Sequence, residues 1–197
     1  GVVPGATTSL PLFDFSSATT LSNCFKNCSS ITTVPVFDAS NAPTLEAMFY
    51  GCTNLNNFPG ITLRTTANVS LENFFANCTS LTNFTLFDTS AVTNMGSMFG
   101  SCTGLTSFPA LFDTSAAVDL TNTWTDCQNL TSFPPLITTN ATSFRNAWAR
   151  NYGLTDFPLL DTTSITSCQY SWYTSTNLAN FPANMFDTTG TLLSSAF

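Results

Sequence analysis

Six aspartates fall on one position of a recurring pattern: Asp14, Asp38, Asp88, Asp113, Asp161 and Asp187. Stacked carboxylates repel, so each must gain something local. One gain is the backbone N–H groups of the turn that follows, which an Asp side chain accepts well. The other is a calcium ion held between adjacent Asp-Thr-Ser turns, as at Asp88 and Asp113, with oxygen ligands from side chain and backbone. The cap is favoured, because a calcium site usually needs more carboxylates per ion than one per repeat supplies. Calcium is the one cofactor the pattern allows. The pairs Thr89-Ser90, Thr114-Ser115, Thr162-Thr163 and Thr188-Thr189 could line up as a flat hydroxyl array for glycans or ice. A solvated, low-charge surface explains them equally well.

The seven cysteines are Cys24, Cys28, Cys52, Cys78, Cys102, Cys127 and Cys168, an odd number without any CxxC pair. That count and spacing disfavour both a disulfide framework and a metal cluster. With no histidine in the chain, a zinc site has no good completion around Cys24 and Cys28. The set from Cys28 through Cys127 shares one repeat position, so these thiols read as buried apolar fillers. Catalysis needs a nucleophile or acid–base pair near a matched pKa. One lysine, two glutamates (Glu46 and Glu72) and no histidine supply no such set, and no unit carries an extra loop to build a pocket. The chain reads as non-catalytic, with no catalytic residue to name.

What positions these residues is a repeat. Leu10-Pro11, Val34-Pro35, Phe58-Pro59, Phe108-Pro109, Phe133-Pro134, Phe157-Pro158 and Phe181-Pro182 mark its boundaries, and Phe84-Thr85 fills the remaining gap. The units are 24–26 residues long. Residues 1–9 form a lead-in or partial repeat, and 10–197 one solenoid of seven complete units and a truncated eighth. The apolar, Pro-punctuated segment Leu105–Phe112 predicts a short strand and a bend. After the Asp turn, Met95, Met98, Phe99 and Cys102 recur at i, i+3, i+4 and i+7, which predicts a helix of about two turns. Such units cannot stand alone and must stack. The expected fold is therefore an α/β repeat, a solenoid with a short strand, a turn and a short helix per unit. The aromatic ladder Phe25, Phe49, Phe75, Phe99, Trp124, Trp148, Trp172 shares the predicted helical face and reads as core. Where Phe becomes Trp, the neighbour shrinks from Met98 to Thr123, Ala147 and Ser171, as volume compensation requires.

Charged residues are 8% of the chain and the net charge is −7, with Lys26, Arg64, Arg145 and Arg150 the only bases. Scattered bases argue against nucleic acid and against anionic membrane surfaces. No apolar run approaches the ~18 residues of a membrane span. Residues 1–11 lack the basic start and apolar run of a secretory leader.

Residues 88–108, DTSAVTNMGSMFGSCTGLTSF, resemble the repeat of the BspA-like leucine-rich-repeat surface proteins, in the closely related form known as DUF285 or the bacterial surface protein 26-residue repeat. The likeness spans about residues 10–197, with Arg64 and Thr138 standing where the Asp is interrupted in the third and sixth units. The resemblance implies an extracellular, cell-surface or virion-surface address. It also implies a role as an adhesin or fibre segment that meets a host glycan or protein. A structural alternative is end-to-end assembly into a filament or coat. Leu193, Ala196 and Phe197 keep the spacing of Leu71, Phe74 and Phe75, so an incomplete last unit would offer apolar surface for self-association or for chain beyond it. The sequons at Asn27, Asn68, Asn77, Asn83, Asn129 and Asn140 matter only in a eukaryotic secretory route.

Overall fold

Between Leu21 and Cys28 the backbone satisfies its hydrogen bonds in two directions. The N–H groups of Leu21, Asn23, Phe25 and Asn27 leave the segment and donate to the carbonyls of Thr44, Glu46, Met48 and Tyr50, at 3.0, 2.9, 2.9 and 2.6 Å. Those of Cys24, Lys26 and Cys28 turn back to Leu21, Asn23 and Phe25, at 3.2, 3.2 and 3.1 Å. The segment is thus a run of overlapping turns, and alternate N–H groups tie it to the next unit. In the computed structural model, which describes residues 9–65, 68–186 and 196–197, this ribbon recurs through the solenoid. Residues 95–102 repeat it, with Met95, Ser97, Phe99 and Ser101 donating to Asp119, Thr121, Thr123 and Thr125.

The short helix expected in each unit is therefore absent: the described residues contain no helix. The reason is in the dihedrals. Each ribbon carries two left-handed residues four apart, such as Asn23 and Asn27, Ala47 and Gly51, Asn73 and Asn77, or Ser97 and Ser101. The pairing continues through Asn122 and Asp126, Asn146 and Arg150, and Tyr170 and Thr174. A positive φ at the third residue of a four-residue turn gives the type II form. It also reverses the winding that a right-handed helix needs. The i, i+3, i+4, i+7 face survives because overlapping turns also bring residues three and four apart together.

Strands are minimal and parallel. β1 (Phe37–Asp38) pairs with β3 (Ile61–Thr62), β2 (Asn57–Phe58) with β5 (Asn83–Phe84), and β4 (Val69–Ser70) with β6 (Val92–Asn94). Isolated parallel bridges extend two of these lines. One runs Ser9, Thr33, Asn57, and the other runs Asn94, Asp119, Ser143, Ser167. Each unit is therefore a rung fixed to its neighbours along the ribbon and along three short β lines. At ~4.8 Å per rung, every repeat position becomes a column along the rod.

The core is a continuous apolar cluster. Met95, Met98, Phe99 and Cys102 are fully buried, as are Leu45, Met48, Phe49 and Cys52 two units earlier in the pattern. The aromatic column stacks face to face: Phe25 on Phe49 (5.5 Å), Phe49 on Phe75 (6.1 Å), Phe75 on Phe99 (5.7 Å), then Trp124 on Trp148 (5.4 Å) and Trp148 on Trp172 (5.5 Å). A second column, Phe108, Phe133, Phe157 and Phe181 from the Pro junctions, meets the tryptophans edge-on at 4.8–5.4 Å. These are the arrangements that ring quadrupoles favour. The Trp positions are core, and Thr123, Ala147 and Ser171 beside them are fully buried. Ser171 Oγ donates to the carbonyls of Phe144 and Cys168, both at 2.7 Å. At the far end, the Trp172 N–H donates to the Ala196 carbonyl, and Phe197 stacks on Trp172 at 5.7 Å.

Candidate recognition surface

The cysteine column does more than fill space. Cys52, Cys78, Cys102 and Cys127 are fully buried, and each Sγ donates to the carbonyl of an aromatic residue in the preceding rung. The acceptors are Phe25, Phe49, Phe75 and Phe99, at 3.1–3.2 Å. That carbonyl already accepts its own turn hydrogen bond, as Phe75 does from Cys78, so the thiol satisfies the second lone pair. In the seventh rung Ser175 takes over, its Oγ donating to Trp148 O at 2.9 Å. Asn151 breaks the series: it is fully buried, and neither end of its side-chain amide has a partner. Burial pushes the thiols of Cys52 and Cys127 up to about 12 and that of Cys168 to about 11. They stay neutral and unreactive. All seven cysteines are free, and Cys24 is the exposed one.

The aspartate column sits at turns. The Oδ1 atoms of Asp14, Asp38, Asp88, Asp113 and Asp161 accept the backbone N–H two residues on, at Ser16, Ser40, Ser90, Ser115 and Thr163, over 2.8–2.9 Å. Hydrogen bonds from the Ser or Thr two residues on hold Asp14, Asp38, Asp88 and Asp161 below the usual carboxylate range. Asp187 lies outside the described residues. Among the described residues no group of three or more Cys, Asp or Glu side chains gathers as a metal cluster would. The register also places the interruptions differently: Thr62 pairs with Asp38 in β1–β3, so Thr62, not Arg64, holds the Asp position. Thr138 donates to Asp161 O as Thr89 donates to Asp113 O, which puts Ile137, not Thr138, at that position in its rung.

The hydroxyl pairs do not form a flat array. Thr89 and Thr114 are buried, and with Thr138 and Thr162 they donate to the carbonyls of Asp113, Ile137, Asp161 and Met185 in the following rung. Among the described pairs the second residue is the more exposed: Ser90 and Thr163 are exposed and Ser115 half-buried. Thr188 and Thr189 lie outside the described residues. Among the sequons, the Asn129 and Asn140 amides donate to the carbonyls of Thr103 and Ser115, so they serve the stack.

The surface that reads outward is an apolar column the sequence pattern hides. It consists of the residue before the strand pair that precedes Asp: Leu12 is 82% exposed, Val36 57%, Leu86 39%, Leu111 83% and Leu159 58%. Pro holds the preceding backbone in place in most rungs, while Phe37, Phe112 or Leu160 turns inward beside it. The column is interrupted at Gly60, whose φ of 111° is a conformation that favours glycine. Ile137, 56% exposed, widens it on the Asp side. Two recesses open along this ridge. One, of about 320 Å³, is bounded by Leu111, Asp113, Ser115, Pro135 and Ile137. The other, of about 360 Å³, is bounded by Leu159, Asp161, Thr163, Asn184 and Met185. A smaller polar–aromatic patch lies on the ribbon, where Tyr170 and Tyr173 pack at 5.5 Å. Nearby, Arg150 makes a bidentate pair with Asp126 (Nε–Oδ1 2.7 Å).

A family model described as "Mycoplasma protein of unknown function, DUF285" matches residues 6–103 and 69–184. The chain belongs to the DUF285 family. None of the curated protein sequences compared matches it. Among solved structures, the DUF285 chain is similar to the leucine-rich repeat protein of T. pallidum, at 18% identity and a TM-score of 0.50, over 74% of this chain and 63% of that one. At that identity the likeness concerns the fold alone. The likeness agrees with the leucine-rich-repeat resemblance, while the α/β unit with a helix in each repeat is overturned: turn ribbons stand in place of the helices. The DUF285 chain spans less than two thirds of that protein.

Proposed function

We propose that this DUF285 array is a non-catalytic recognition module that engages a macromolecular partner through the ridge from Leu12 to Leu159. One observation carries it: a column of large apolar side chains, one in most rungs, stands in water at a fixed repeat position of a fold that buries most of its large apolar side chains. Contiguous exposed apolar surface is costly to keep and marks interaction sites. The non-catalytic reading draws on the same economy, since Cys52, Cys78, Cys102 and Cys127 donate to backbone carbonyls and one oxygen of each turn carboxylate accepts a backbone N–H. Likeness to BspA-like surface repeats supports display on a cell or virion surface, with a host protein or glycan as partner.

The test is a binding screen of the intact chain against immobilised glycans and extracellular-matrix proteins, run beside the Leu111→Ser/Leu159→Ser variant. Binding that the variant loses is the expected result. Binding retained in full by the variant would put the reading surface elsewhere.

A further inference from the structure

The ridge has a charged border. Two positions after Leu12, Val36, Leu86, Leu111 and Leu159 stand Asp14, Asp38, Asp88, Asp113 and Asp161. Each is pinned by a backbone N–H at 2.8–2.9 Å. Such a hydrogen bond fixes the carboxylate's position without neutralising it, so the second oxygen remains available in a set direction. Three of the chain's four bases, Lys26, Arg145 and Arg150, belong to the turn ribbon, and Arg150 is already paired with Asp126. Arg64, the fourth base, follows Thr62 at the Asp position of its own rung, so away from that rung the ridge presents apolar side chains beside carboxylates that no ion pair among the described residues neutralises.

Both recesses repeat this combination on a smaller scale. Leu111, Pro135 and Ile137 wall the first and Asp113 lies on it. Leu159 and Met185 wall the second and Asp161 lies on it. An apolar slot with one carboxylate at its edge matches a side chain with a long aliphatic stem and a cationic head. Asp113 and Asp161 are two rungs apart, so two such side chains would be spaced by ~10 Å.

We propose that the ridge docks an extended polypeptide segment in which lysine or arginine recurs about every third residue among apolar ones, its cationic heads set against Asp113 and Asp161 and its apolar residues against Leu111 and Leu159. The inference rests on the ridge being the reading surface. It goes further by stating the partner's chemistry. A second copy of this acidic chain would bring one carboxylate row towards another, and an acidic glycan would meet the same repulsion.

The experiment measures binding of labelled, amidated peptides by fluorescence anisotropy at physiological salt. The first carries Lys at every third residue with Leu between, over about 12 residues, which at ~3.3 Å per residue spaces the Lys by ~10 Å and covers the rod. In the second, Glu replaces Lys; in the third, Ser replaces Leu. The Leu/Lys peptide is expected to bind the intact chain and the other two to bind far more weakly. Asp113→Asn/Asp161→Asn should weaken it by about tenfold. Asn can still accept the turn N–H, so an unchanged melting temperature checks that the fold persists. Leu111→Ser/Leu159→Ser should weaken it comparably, and Asp156→Asn, a carboxylate off the ridge, should have less than about a twofold effect.

The proposal is overturned if the Leu/Lys peptide fails to bind, or if Asp156→Asn costs as much as the ridge pair, which would mean diffuse attraction. It is also overturned if the Leu/Glu peptide binds equally well. In that case loss of both peptides in Leu111→Ser/Leu159→Ser would leave the ridge as the reading surface while removing the cationic partner.

Discussion

At the scale of single residues, the columns that look chemical turn out to hold the backbone. A thiol donating to a buried carbonyl is as much a part of the ladder as a peptide N–H, and Asn151 shows what happens when the donor is wrong. A buried amide left unpaired costs ~1–3 kcal/mol. Asn151→Cys should therefore raise unfolding stability by roughly that amount in a denaturant titration, by restoring the column between Cys127 and Ser175. The thiols also set the alkaline limit. Their folded pKa values lie above the ordinary 9.0, at about 12 for Cys52 and Cys127. The unfolded chain therefore releases these protons first, and stability is intact below pH ~9 and falls as pH rises towards the folded values. Melting temperatures measured from pH 7 to 10.5 should show that decline, and Cys127→Ser, which imitates Ser175, should make it shallower. The acid side has the opposite sign. Asp14, Asp38, Asp88 and Asp161 are held below their ordinary value, so their contribution is present above pH ~4 and lost as pH falls through the folded values.

At the scale of the element, the instructive case is the turn ribbon. The apolar spacing of Met95, Met98, Phe99 and Cys102 correctly marks what is buried. It does not separate a helix from overlapping turns, because both bring residues three and four apart onto one side. The clue lies between those positions. Asn23, Asn27, Asn73, Asn77, Asn122 and Asn146 all occupy left-handed sites, and Asn is among the few residues that enter that region readily. A consequence distinguishes the two structures sharply. Ala47 has φ of 53°, so Ala47→Gly should relieve strain and stabilise the chain by ~1 kcal/mol in chemical denaturation. Were the segment a helix, the same change would destabilise it by about as much. Tight packing between rungs adds a second constraint. A Cβ on Gly104 would sit 2.7 Å from the Leu81 carbonyl oxygen, so Gly104→Ala should lower the melting temperature. The Asp register is also misplaced by spacing alone, since unit lengths vary and only pairing of Asp38 with Thr62 fixes it.

At the scale of the whole molecule, rungs join end to end into one apolar interior with two interlocked aromatic columns, and polar columns fasten its outside. That much was legible in the repeat: which residues recur, that they stack, and that the aromatic ladder is core. The exposed ridge was not. Leu111 and Leu159 sit in apolar strand-like segments beside Phe112 and Leu160, and in sequence nothing tells the outward member from the inward one. Only the closed rung does, by turning Phe112 and Leu160 into the core and leaving their neighbours in water. A ridge kept for recognition, as proposed, contributes nothing to the scaffold. Its most direct test is the unfolding free energy of the triple variant Val36→Ser/Leu111→Ser/Leu159→Ser. Surface changes away from packing usually stay within ~0.5 kcal/mol each, so the variant should lie within about 1.5 kcal/mol of the parent. A loss of about 2–5 kcal/mol at each site, as truncating a buried Leu produces, would place the column in a core and contradict the claim.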